Sequence, residues 1–285
     1  MKFIILFLVS CSAFAQTKGA ITDTSGNPIP YVSIFVENQN KTATSEENGT
    51  FSIQVSADAK LIFSALGFER KTVLAANAAK VVLESKTFEL EDVVIKKARS
   101  PRILEIGQVE NAILEAFDNG PKMDAKFIPY VEKYKKTKWI KKIKLFTDSP
   151  IEGATLKLHL YSVDGNGFPG EELLTQDLIV TVKKGIFRHQ FDIYDLNIQM
   201  PENGIFVAFE KMRIEKNKVE KTSVNQQTGT TETEISYAPK VMCYSVRKAF
   251  SFTFTGGKWH KNSNEDDLGK PFSFYEPSMT LQLSN

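Results

Sequence analysis

The chain is poor in the residues that usually carry chemistry: it has two cysteines and three histidines in 285 residues. Two thiols, Cys11 and Cys243, do not make the disulfide framework of a small secreted scaffold. The histidines, His159, His189 and His260, stand far apart in no H-x-x-x-H or H-E pattern, so no zinc site is signalled. Each reads instead as a histidine satisfied within a strand. G-x-S-x-G is absent, as are the Walker and dinucleotide glycine loops, which removes the nucleophile elbow and the nucleotide-binding motifs. Carboxylates are plentiful, but no pair stands out as the acid and base of a glycosidase. Charge of one sign is also missing. Thirty-six basic residues face 34 acidic ones, and a net charge of +2 creates no field of the kind that gathers nucleic acid. No internal apolar run reaches the roughly 18 residues of a membrane-spanning helix. The reading is a protein without catalytic residues, cofactor or metal.

What is present begins with a processing signal. Lys2 supplies a positive start, Phe3 to Val9 form an apolar centre, and Ala13-Phe14-Ala15 puts small residues before Gln16. Residues 1–15 are expected to be removed on export. Leu8-Val9-Ser10-Cys11 also resembles a lipobox, whose cysteine would be lipidated, but Cys11 lies early for that, and cleavage after Ala15 is the reading taken. The remaining thiol, Cys243, then has no partner and reads as a buried spectator.

Beyond the signal the chain alternates short apolar strands with turn chemistry. Ser25-Gly26-Asn27-Pro28 is a turn, because glycine takes positive φ cheaply and proline cannot join a central ladder. Val32, Ile34 and Val36 then alternate with Tyr31, Ser33, Phe35 and Glu37, so branched side chains face one way and polar or aromatic ones the other. A second turn at Glu47-Asn48-Gly49 precedes an alternating run from Phe51 to Val55, and Leu61-Ile62-Phe63 and Val81-Val82-Leu83 add buried-strand segments. Short strands spaced by turns predict a β-sandwich.

"G-x-I-x-D-x-x-G-x-P-I-P-Y-V-x-I", "T-S-E-E-N-G-T-F-S-I" and "L-I-F-S-A-L-G-F-E" together resemble the carboxypeptidase regulatory-like domain over residues 17–86. The resemblance implies a seven-stranded, transthyretin-like sandwich with no catalytic residues, an accessory fold found beside peptidases and at the start of TonB-dependent outer-membrane transporters. Residues 88–98, "F-E-L-E-D-V-V-I-K-K-A", resemble the segment that precedes a transporter's plug, and residues 87–102 read as a linker. A plug and a barrel of about 22 strands need several hundred further residues, so no transporter is expected. A peptidase would require zinc ligands that the sequence does not present.

Two readings stand for the next segment. Leu104, Ile106, Val109, Ile113, Leu114 and Phe117 have helical spacing, and Gly120-Pro121 would stop a helix. The chain beyond resembles a second module of exported proteins from glycan-using and gliding bacteria, through "L-K-L-H-L-Y-S-V-D-G-N-G-F-P-G-E-E-L-L", "F-D-I-Y-D-L-N-I" and "P-E-N-G-I-F-V-A-F-E". That resemblance implies extended chain near 103–118, and the reading leans to strands. On its own residues this region is β throughout. Leu156, Leu158 and Leu160 alternate with Lys157, His159 and Tyr161, turns fall at Asp164-Gly165-Asn166-Gly167 and Pro169-Gly170, and strand-like runs continue to Leu283. A jelly-roll-like two-sheet sandwich over residues 103–285 is expected, giving an all-β chain of two sandwich domains. Residues 215–237 are polar with scarcely an apolar anchor and read as an exposed hairpin or loop.

The candidate ligand contacts are few. Asp164, Asn166 and Glu171 resemble part of a calcium loop, but the spacing of the late glutamate and the glycine fails, and a turn explains them. Residues 262–269, "NSNEDDLG", are oxygen-rich and read as solvated loop. Lys133, Lys135, Lys136, Lys138, Lys141, Lys142 and Lys144 surround Tyr134 and Trp139. Export turns that run away from nucleic acid, leaving anionic glycan or lipid as the accessible partner and a strand with outward lysines as the plain account. Trp259, Tyr275 and Trp139 are the aromatic positions at which a glycan would stack. The expected role is a non-catalytic binding or structural module at the cell envelope, with an envelope protein or a cell-surface glycan as partner; the alternative is a carbohydrate-binding accessory protein with its glycan site on the C-terminal sandwich, at Trp259, Tyr275 or the 215–237 loop, and a peptidase-associated accessory protein is the remote one.

Overall fold

The computed structural model describes residues 16–86, 102–108, 114–117, 120–224, 226, 229–247, 250–263 and 273–285. The expected signal and linker segments, residues 1–15 and most of 87–102, and most of the 262–269 stretch lie outside the described residues. Strand is the dominant regular structure of the described residues, with four sheets stacked about three apolar layers and a separate two-stranded sheet.

The N-terminal sandwich has seven strands among the described residues. One sheet runs in the order Thr50–Gln54, Gln16–Thr22, Lys80–Val82, with a parallel pairing between the last two. The other runs Thr42–Thr44, Ser33–Val36, Lys60–Ser64, Lys71–Leu74 and is antiparallel throughout. Val32, Ile34, Val36, Leu61 and Phe63 face Ile21, Phe51, Ile53 and Val81 across the gap. This is the branched face that strand alternation predicts.

Two seven-stranded sheets form the C-terminal sandwich. The first runs Pro169–Glu172, Ala154–Val163, Ile205–Lys211, Met123–Ile128, Phe250–Thr255, Lys258–Ser263, and Leu178–Val182 also pairs with Ala154–Val163. The second runs Ser273–Pro277, Lys240–Arg247, Trp139–Ser149, Met279–Ser284, Ile103–Ile106, with Gly185–Asp192 on Trp139–Ser149 and Leu114–Phe117 on Lys240–Arg247. Ile103–Ile106 and Leu114–Phe117 are strands, as the lean to extended chain expected; an edge place in this sheet buries Ile106 and overrides the helical spacing. Leu156, Leu158 and Leu160 meet Ile143, Leu145, Leu281 and Leu283 in the gap. In the basic run, Glu132–Lys136 is a 3₁₀ turn and Trp139–Ser149 a strand whose Ile140, Ile143 and Leu145 are buried. Residues 215–237 contain the exposed hairpin Lys218–Val224 with Thr231–Tyr237.

The third apolar layer joins the two sandwiches. Phe35 and Ile62, on the outer face of the four-stranded sheet, pack on Met123, Ala125, Phe206, Ala208, Phe252 and Phe254 of the first seven-stranded sheet. Phe35 and Phe254 meet edge to face with centroids 4.9 Å apart. Burying a phenylalanine stabilises by about 1.5–3 kcal/mol, so this layer holds the sandwiches as one unit. Hydrogen bonds cross the same seam: Asn38 N–H donates to Gly256 O at 3.2 Å, and Arg213 N–H to Thr44 Oγ1 at 3.0 Å.

The turn at Gly256-Gly257 fits beneath the N-terminal sandwich because it lacks side chains. Both glycines have positive φ, +62° and +88°. A Cβ on Gly256 would stand 3.1 Å from the Asn38 backbone, and one on Gly257 would drive into Ile62 Cδ1. Gly256→Ala is therefore expected to destabilise the protein by roughly 1–3 kcal/mol in urea unfolding, through left-handed strain and a backbone clash. An unchanged urea midpoint would show that the seam is not closed at this turn.

Candidate functional site

A strand inside a two-layer sandwich normally has one wet face. Ala154–Val163 is buried on both for most of its length. Its leucines point into the C-terminal core, while Lys157, His159 and Tyr161, two residues apart on the opposite face, point at the N-terminal sandwich. The three line a cavity of about 780 Å³ between the sandwiches. Ser33, Phe35 and the 64–70 loop form the wall from the N-terminal side, and Glu172, Glu210, Phe254 and Trp259 from the C-terminal side.

His159 is the centre of this wall. Its Nδ1 lies 2.9 Å from Glu172 Oε2 and its Nε2 3.3 Å from Glu210 Oε2. Both nitrogens face carboxylates, which accept only, so both donate and the ring is an imidazolium. Burial alone would lower its pKa, but the charge and hydrogen bonds of Glu172 and Glu210 outweigh that and raise it to about 9. Glu210 is held below the usual carboxylate value: burial opposes this, and the hydrogen bond from His159 and the charge of Lys157 prevail. Ser33 Oγ also donates to Glu210 Oε2, at 2.9 Å, so the chain of contacts crosses from one sandwich to the other. Glu172 Oε1 accepts from Leu160 N–H at 2.8 Å, and Lys157, its side chain 2% exposed, donates to Asp177 Oδ2 at 3.2 Å. Every buried charge here has a partner.

Aromatic rings flank the charged groups. Tyr161 stacks on His159 with centroids 5.6 Å apart and an angle of 11°, and its other neighbour, Trp259, meets it edge to face at 5.5 Å. Burial and the two carboxylates push the Tyr161 phenol well above its usual pKa, so it stays neutral. Trp259 packs on Phe254 at 5.2 Å, and the exposed Arg70 guanidinium lies 5.9 Å from the Phe254 ring centroid.

An imidazolium with both N–H groups engaged has no lone pair for a general base, and the Ser33 hydroxyl donates to a carboxylate, not to an imidazole. Among the described residues no cluster of three or more metal-ligating side chains stands in reach of one ion. Asp164 Oδ1 accepts from Asn166 N–H and Phe168 N–H, both at 2.8 Å, and serves the turn. Burial raises the Cys243 thiol to about 12, far from a reactive thiolate.

The aromatic positions singled out from the sequence are not brought together. Trp259 lines the seam cavity. Tyr275 is on the Ser273–Pro277 strand of the other seven-stranded sheet, with its hydroxyl 3.3 Å from Glu115 Oε2. Trp139 begins the Trp139–Ser149 strand, under the Lys138 ammonium at 5.3 Å from its ring. His189 stacks on Phe191 but among the described residues its buried Nε2 has no hydrogen-bond partner, against the expectation of a satisfied strand histidine, and His260 Nε2 lies 3.3 Å from Thr255 O. Sequence reading missed Glu172, Glu210 and Ser33. The one signal was Lys157-His159-Tyr161 itself, a row too polar for a core and too aromatic for a plain wet face.

Residues 17–95 match the family model of the CarboxypepD_reg-like domain. No curated protein matches the chain. Among solved structures, a protein of infectious bursal disease virus, Gx strain, aligns at 10% identity and a TM-score of 0.23, over 95% of this chain and 60% of its own. The VP2 protein of that virus, as a D431N mutant, gives the same identity and TM-score over 94% and 60%. The chain thus spans about 60% of the length of these viral proteins. A candidate carbohydrate-binding protein from Bacteroides uniformis aligns at 13% identity and a TM-score of 0.19, over 80% of this chain and 98% of its own. Likeness at that level carries no functional inference.

Proposed function

We propose that the protein is an exported, non-catalytic binding module of the cell envelope, and that its ligand, of the glycan class, seats between the two sandwiches. The observation that carries this is the composition of the seam cavity. Aromatic faces at Trp259 and Tyr161 stand beside carboxylates and cations that neutralise one another. Such a wall has little net field to attract an ion, yet it offers acceptors and donors to hydroxyls and a flat surface to a sugar ring. The volume, about 780 Å³, lies within the roughly 300–1,000 Å³ of small-ligand sites. The regulatory-like domain match supports an accessory role, and Lys2, the apolar run Phe3 to Val9 and Ala13-Phe14-Ala15 support export.

A glycan array probed with the purified protein at physiological salt tests the reading, with Trp259→Ala as the comparison. Saturable binding that falls at least about tenfold in the variant is the expected result. Absence of binding to every glycan would replace the sugar by a protein of the envelope as partner.

A further inference from the structure

A second cavity, of about 340 Å³, lies where the exposed hairpin meets both sandwiches. Phe35, Met123 and Glu210, buried contact residues of the joint, close its inner end and part it from the larger cavity. Pro121, Lys122, Arg213, Ile235 and Tyr237 are among its other lining residues. Arg213 is held at two points. Its backbone N–H donates to Thr44 Oγ1 at 3.0 Å, and its guanidinium lies 4.7 Å from the Tyr237 ring centroid. Stacking uses the face of a guanidinium and leaves its edge, with five N–H donors, for another group. Among the described residues that edge has no hydrogen bond or ion pair, and neither has the Lys122 ammonium. The carboxylates of the cavity do not answer these cations: Glu210 is taken by His159 and Ser33, and Glu234 stands exposed on the hairpin. A guanidinium fixed by a ring and left without a counter-charge is the preorganised half of a bidentate pair.

We infer that this cavity takes a small organic carboxylate, its two oxygens on the edge of Arg213 beside Lys122 and its apolar body against Pro121 and Ile235. Ile235 is 51% exposed, so the cavity has apolar surface still to cover as well as charge still to pair. An inorganic anion meets the charge and leaves that surface wet. A neutral ligand covers the surface and leaves the guanidinium unpaired, and a carboxylate on a short apolar chain satisfies both. The volume is at the lower end of the roughly 300–1,000 Å³ of small-ligand sites, which fits a ligand of this size. The site stands apart from the glycan seat and does not depend on it.

The test is calorimetric titration of the purified protein at low salt with hexanoate. Hexanol serves as its neutral counterpart and inorganic phosphate as an anion without an apolar body. Arg213→Gln, Arg213→Lys and Lys122→Gln are titrated alongside, and their melting temperatures are measured. The expected result is one saturable hexanoate site whose affinity falls about tenfold or more in Arg213→Gln and by a smaller factor in Lys122→Gln. Arg213→Lys, which keeps the charge and loses the fork, recovers only part of the difference. Hexanol and phosphate bind the wild type at least about tenfold more weakly than hexanoate. Where Arg213→Gln melts several degrees low, Arg213→Lys and Lys122→Gln carry the comparison. Absence of saturable hexanoate binding up to about 10 mM, or binding indifferent to the substitutions at Arg213 and Lys122, overturns the inference. Hexanol or phosphate bound as tightly as hexanoate overturns it too, since the cavity then reads only one half of the ligand.

Discussion

Raising the pH from 6.5 to 9 is expected to remove about 3 kcal/mol of folding stability through His159. In the unfolded chain this histidine titrates near its ordinary 6.5; between Glu172 and Glu210 it holds its proton up to about 9. Below pH 6.5 both states are protonated and the stabilisation is complete. As pH rises through the interval the unfolded chain releases the proton and the folded one does not, so the contribution declines and is gone above the folded value. Glu210 acts on the other side. Its lowered pKa gives stability that is present above the usual 4.5 and is lost as pH falls through its folded value. Urea unfolding across this range should show the decline, and His159→Gln should flatten it. Cys243, with its thiol raised to about 12, adds a separate loss above 9, so the comparison ends there. Stability that is level or rising between 6.5 and 9 would mean that His159 is neutral in the fold.

Glu210→Ala is expected to cost about 3–5 kcal/mol, the usual consequence of breaking one side of a buried ionic contact. The substitution removes the carboxylate from His159 Nε2 at 3.3 Å and from the Ser33 hydroxyl at 2.9 Å, and leaves two buried donors without an acceptor. Glu210→Gln should cost less, because its amide oxygen still accepts one of them. Because Ser33 and Glu210 belong to different sandwiches, the loss acts on their attachment as well as on the local strand. Denaturant unfolding of the two variants checks the order. A Glu210→Ala protein within about 1 kcal/mol of the wild type would show that the carboxylate is not held as described.

Period-two alternation made the strands legible, because it reports which side chains share a face. It put Val32, Ile34 and Val36 together and Leu156, Leu158 and Leu160 together, and both sets are core. It also grouped Ser33 with Phe35, and Lys157 with His159 and Tyr161, as the opposite faces. What covers those faces is a contact between segments more than a hundred residues apart, and no local pattern encodes it. Ser33 and Glu210 are 177 positions apart in the chain. The seam, and with it the candidate site, was therefore present in the sequence only as two strands whose second faces carried large or polar side chains. His159 was legible as a satisfied strand histidine, but its two carboxylate partners were not, since Glu172 comes from a neighbouring strand edge and Glu210 from the strand on the other side. Trp259 was picked out for its aromatic ring and does line the cavity. Tyr275 and Trp139 were picked out by the same property, and the fold sends them to the other seven-stranded sheet.

The central claim is that the ligand seat has one wall from each sandwich. Glycan affinities of two variants from opposite walls test it most directly: Arg70→Ala from the N-terminal side and Trp259→Ala from the C-terminal side. The account predicts that both weaken binding of the same glycan while the melting temperature stays near that of the wild type for the exposed Arg70. Loss of binding in Trp259→Ala alone, with Arg70→Ala at wild-type affinity, would contradict it and place the site on the C-terminal sandwich by itself.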